Sequence, residues 1–97
     1  MSKLIEKDQW VWVVIQDPGG VEQFLGQQDA KNDETFIPVF LEKEEAQQGL
    51  SFLVRQKGLK YEVQAIQYED LSQRAGEYGF MLFLLNGAGE VLEKIKM

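Results

Sequence analysis

The sequence predicts one small α+β domain of α/β character: a mixed sheet of five to six strands with two helices, in the order β-β-β-α-β-α-β-β. Three observations carry that prediction. Within Thr35 to Gly58, TFIPVFLEKEEAQQGLSFLVRQKG, the apolar period changes at Glu42 from that of a strand to that of a helix. Two runs, WVWVVI from Trp10 to Ile15 and FMLFLL from Phe80 to Leu85, are apolar without a break and need cover on both faces. Glycine-rich turns at Asp17 to Gly20 and Asn86 to Gly89 separate those runs from their neighbours. With 97 residues and no internal linker or repeat, residues 1–97 form a single domain.

Residues 1–9 are mostly polar and read as a loose lead-in. Trp10 to Gln16 forms the first strand, being mostly β-branched or aromatic. Asp17-Pro18-Gly19-Gly20 stops it, with proline and glycine at the central positions of a type II turn. Val21 to Gln28, VEQFLGQQ, fits a short strand or a helical turn; the strand is preferred because Asp29 to Glu34 then makes a polar hairpin loop. In the third strand, Thr35 to Leu41, Pro38 has no N–H to give a ladder. That places it at an edge, at a bulge or at an unpaired position.

Ala46, Leu50, Leu53 and Val54 then fall at i, i+4, i+7 and i+8, one stripe of a helix running from Glu42 to Lys57. Gly58 suits the left-handed position that ends it. Glu42, Glu44 and Glu45 in the first turn, and Arg55 and Lys57 in the last, complement the helix dipole by about 0.3–1 kcal/mol each when exposed. Two features work against the helix. No Ser, Thr, Asp or Asn stands at its N-cap, and Gly49 costs about 1 kcal/mol against Ala.

Tyr61 to Gln67, YEVQAIQ, alternates as a partly exposed strand, with Tyr61, Val63 and Ala65 on one face. Tyr68 to Gly79 is a short second helix with Leu71 and Ala75 at i and i+4, ended by Gly76 or Gly79. Phe80 to Leu85 is a central strand, and after Asn86 to Gly89 the chain returns as Glu90 to Lys96, whose charges suit an exposed sheet edge. The steps from Phe36 through Val63 to Leu82 are expected to be right-handed crossovers.

Composition excludes more than it assigns. With no cysteine, the chain has no disulfide, thiolate nucleophile or Cys-based metal site, and with no histidine it lacks the commonest general base and transition-metal ligand. A net charge of −6 argues against nucleic acid and anionic membranes as partners. No segment has the length of a membrane span or the form of a signal peptide, so the expected compartment is the cytoplasm.

No catalytic residue and no cofactor is assigned. Ser2, Thr35, Ser51 and Ser72 have no nucleophile motif around them, and the two glycine-rich turns match no phosphate-binding fingerprint. Asp29, Asp33 and Glu34 fail the calcium-loop pattern, which would need glycine where Glu34 stands. Glu42 and Glu45 lie just past one strand, and Tyr68, Glu69 and Asp70 just past the next. If those strands were parallel neighbours, their acids would converge and hold Mg²⁺, giving a metal- or small-molecule-binding module or a weak hydrolase. The commoner reason for acids in a first helical turn is the dipole.

Apolar area gives the stronger reading. Trp10, Trp12 and Val14 share one face of the first strand, opposite Val11, Val13 and Ile15. Two helices packed on one side of the sheet would leave an aromatic patch too large to stay wet; one helix on each face, with loops completing the core, would cover most of it. The residue types at Trp10 and Trp12 are those that interfaces favour, which points to self-association or binding of another protein through that face.

At PVFLEKEEAQQGL, Pro38 to Leu50, the chain resembles the N-terminal domain of the bacterial enhanced serine sensitivity (SseB-like) family. There a Pro-Val-Phe strand end leads into an acid-rich helix, followed by a strand, a short helix like that bearing Leu71, an apolar strand and a glycine-containing turn. The likeness spans about Trp10 to Val91 and departs from the family at Leu41-Glu42, where a Thr-Ser-like cap is usual. It implies an α/β fold in a bacterial cytoplasmic protein without an established catalytic site, so no functional residue carries over.

Overall fold

The computed structural model describes residues 2–96. Position 1 of the expected lead-in and position 97 lie outside them. The described residues form seven strands and two helices in one α+β domain. The strands are β1 (Trp10–Gln16), β2 (Gln23–Phe24), β3 (Gln27–Asp29), β4 (Glu34–Val39), β5 (Tyr61–Gln67), β6 (Met81–Leu85) and β7 (Val91–Ile95). The helices are α1 (Lys43–Gly49), continued by a 3-10 turn Leu50–Phe52, and α2 (Tyr68–Tyr78).

Instead of one mixed sheet there are two, β2-β1-β5 and β3-β4-β6-β7, pinned together at a single point. There Trp12 and Phe40 exchange backbone hydrogen bonds of 2.8 and 2.9 Å. Pro38 explains why, among the described residues, the two sheets share backbone hydrogen bonds only there. Alternate residues of a strand direct their backbone groups to the same side. Pro38 therefore faces the same way as Phe36, which pairs with Gln27, and Phe40, which pairs with Trp12. Its missing N–H falls in the gap between those partners. The unpaired position that the sequence allowed for Pro38 is the one it occupies.

The segment expected as one strand over Val21 to Gln28 is split by the same gap. β2 pairs with β1, Leu25 still donates to the Val14 carbonyl at 2.9 Å, and beyond Gly26 the chain transfers to β4 as β3. The turn before it forms as expected: Gly20 N–H donates to the Asp17 carbonyl at 3.0 Å, and Gly19 takes φ +82°.

The expected helix over Glu42 to Lys57 is cut short. Helical structure stops at Phe52, and the chain from Leu53 to Lys60 is extended or turned. The stop is tertiary, because the Gln27 side-chain amide bonds both the N–H and the C=O of Val54 at 2.8 Å, pulling that backbone out of the helical pattern. Leu53 still packs on the core, whereas Val54 is 80% exposed. Gly58, at φ +91°, serves a loop turn rather than a helix end. Gly49 also has a structural reason. A Cβ there would come within 2.5 Å of the Phe40 ring, so glycine is required for α1 to lie on that ring.

One helix covers each face. α1 packs over Phe40, Phe83 and Leu85, with Ala46 as its contact. α2 lays Leu71 and Ala75 on Val11, Val13, Ile37 and Leu82. The lead-in is not loose. Ile5 is buried in the α2 core, and the carbonyls of Gln9 and Lys7 accept the N–H groups of Tyr68 and Glu69 at 2.8 and 3.0 Å, which caps a helix that has no side-chain cap. Gly79, left-handed at φ 75°, ends that helix as expected.

Candidate interaction surface

Trp10, Trp12 and Val14 lie on the α1 side of β1, and their exposure is graded. Val14 is buried, Trp12 is half-buried with the Lys43 ammonium 5.7 Å from its ring centroid, and Trp10 is 61% exposed. The gradient follows from helix length. Seven residues of α1 span only about 10 Å, enough to cover the middle of β1 and not its start.

β5 continues this surface. It pairs antiparallel with β1 along its whole length, placing Gln67 opposite Trp10, Ala65 opposite Trp12 and Val63 opposite Val14. On β1 the backbone groups of Trp12 and Val14 point away from β5, toward Phe40 and Leu25. Val11, Val13 and Ile15 therefore serve β5, where they meet Ile66, Gln64 and Glu62. By the same alternation, Tyr61, Val63, Ala65 and Gln67 aim their N–H and C=O groups outward. Among the described residues no other strand bonds to them, and only the Gln67 carbonyl, which opens the α2 ladder, is already engaged. β5 is thus an open edge, and it contains no lysine, proline or bulge to blunt it.

The acids at the strand ends are not gathered. β1 lies between β4 and β5, so the strands leading into α1 and α2 are not the parallel neighbours that a shared metal site requires. Glu42 and Glu45 belong to the helix on one face, Tyr68, Glu69 and Asp70 to the helix on the other. Asp70 pairs with Arg74 at 3.3 Å. Tyr68 is buried, and burial, with the Glu93 carboxylate adding to it, pushes its hydroxyl pKa up. Among the described residues no group of three or more acids is placed to hold a metal ion.

A groove of about 690 Å³ runs beside the second half of α2. Val13, Ile15, Phe24 and Ile66 contribute apolar lining, and Glu22, Arg74 and Glu77 contribute charge, two acids against one cation. It escaped the sequence because Phe24 sits in the segment that changes strands and Ile66 in a strand whose open side was not legible. No family model, curated protein or solved structure matches the chain. No helix among the described residues is long and apolar enough to cross a membrane.

Proposed function

We propose that this domain is a non-enzymatic protein-contact module that self-associates through the surface formed by Trp10 and the outer side of β5. The observation that carries this reading is the conjunction of a mostly exposed tryptophan with an unblunted strand edge beside it. An exposed aromatic of this size favours interfaces, and unpaired edge amides are a template for another chain. The SseB-like resemblance, taken as a proposal, agrees with a bacterial cytoplasmic role without catalysis.

Light scattering at micromolar concentration tests the reading, combined with collisional quenching of tryptophan fluorescence. A species larger than 11.2 kDa with Trp10 shielded only in that species is expected. Trp10→Ser should shift the equilibrium back to the monomer. A wild-type chain that stays monomeric at every concentration, with Trp10 quenched freely throughout, overturns self-association.

A second reading rests on the α2-side groove, whose apolar lining suits a small amphipathic ligand that pairs with Arg74 while lying clear of Glu22 and Glu77. Stabilisation of the fold by such a compound, lost in Arg74→Ala, is its expected sign.

A further inference from the structure

We infer that the partner of this surface is a second copy of the same chain, joined by antiparallel pairing of β5 with β5 about a two-fold axis at Gln64. The inference rests on the contact reading above and specifies its geometry. A seven-residue strand with Gln64 at its centre pairs with itself so that Tyr61 faces the partner's Gln67, Val63 faces the partner's Ala65, and Gln64 faces its own counterpart. These are the residues whose backbone groups point outward, apart from Gln64 itself, so Tyr61, Val63 and Ala65 each donate one N–H and offer one carbonyl, while Gln67, whose carbonyl opens the α2 ladder, adds its N–H. The register is isologous and closes at two copies.

The side chains agree with that register. On the α1 side it lines up Trp12, Ala65, the partner's Val63 and the partner's Val14 in one apolar row, with Trp10 flanking it. On the α2 side Glu62, the one charged residue of β5, stands opposite the partner's Ile66 rather than opposite another acid. Ile66 and Arg74 line the same groove, so Glu62 enters the mouth of the partner's groove, whose lining carries Arg74 as its cation and Glu22 and Glu77 as its acids. Arg74 uses its Nε on Asp70, which leaves the other donors of its guanidinium for the incoming carboxylate. A chain of net charge −6 thus meets its copy through a register that opposes no like charges along the strand.

The absence of native cysteine makes a direct test clean. At the centre of the register Gln64 forms a non-hydrogen-bonded pair, in which Cα atoms lie about 4.5 Å apart, within disulfide reach. Gln64→Cys should therefore form a reducible covalent dimer under mild oxidation, while Ala88→Cys, exposed on the turn before β7, should not. Ala65→Pro removes an outward N–H without touching the β1 ladder, and should raise the dissociation constant at least about tenfold while circular dichroism stays native. If Ala65→Pro unfolds the chain, the Gln64→Cys result decides alone. A dimer that survives Ala65→Pro and does not cross-link at position 64 overturns the β5 pairing but leaves the contact reading standing. A monomeric wild type overturns both.

Discussion

The two outer strands that bound the joined sheets, β5 and β7, solve the same problem in opposite ways. β7 is blunted three times over. Glu93 accepts bonds from the Ser2 hydroxyl and the Lys3 N–H at 2.8 and 2.7 Å, so its carboxylate ties the N-terminal segment to that strand. Lys94 lies 5.1 Å over the Phe83 ring and reaches Asp29 at 3.3 Å, placing a cation on the strand. A register shift at Leu84/Leu85 then distorts the ladder. β5 carries none of these devices, and the largest exposed apolar residue near it is Trp10. Edge protection costs little sequence, so the open edge is where the proposed contact is expected.

The largest effect expected from this contrast is in the core. Ile95 of β7 is buried, whereas Ile66 of β5 is only partly covered beside the groove. Ile95→Ala should lose about 2–4 kcal/mol in chemical denaturation, and Ile66→Ala less than half as much. Equal losses would mean that β5 is as enclosed as β7.

Next comes the clamp on β7. Partial burial pushes the Glu93 carboxyl up, but the bonds from Lys3, Ser2 and Leu4 outweigh it and hold its pKa below the usual glutamate range. Glu93→Ala should cost about 1–2 kcal/mol, allowing for solvent screening at this half-buried group. Since folding lowers this pKa, the stabilisation is complete above the ordinary glutamate value and drains away as pH falls through and below it. Denaturation curves of wild type and variant should accordingly converge on acidification; a constant gap would rule out the charged form as the source.

A smaller effect concerns association alone. Glu62→Lys should weaken the dimer by up to about fivefold, as befits an exposed ion pair, and leave monomer stability unchanged. Adding Arg74→Glu should restore it. Failure of the double variant to recover would break the pairing of those two residues across the axis.

How much of this was legible in the sequence follows from the range of the forces involved. The turn at Asp17 to Gly20, the end of α2 at Gly79 and the strands from Trp10, Tyr61 and Met81 depend on nearby residues, and all were read close to where they stand. The early end of α1 depends on Gln27, and the split of the Val21 to Gln28 segment depends on where β1 and β4 part; both are set by residues distant in the chain. Gly49 looked like a defect because the Phe40 ring beneath it is invisible to helix propensity. The surface was half legible. Trp10, Trp12 and Val14 were placed on one face, but which of them stays exposed depends on the length of α1. The charges of the last strand marked β7 as an edge, while nothing in YEVQAIQ announced that β5 is the other.

Hydrogen exchange at single amides of β5 tests the central claim most directly. In dilute solution the amides of Glu62, Gln64 and Ile66, bonded to β1, should exchange slowly, and those of Val63 and Ala65 fast. As concentration rises and the larger species forms, Val63 and Ala65 should become as protected as their neighbours. If they keep exchanging fast in a solution that scattering shows to be dimeric, the chain associates through some other surface.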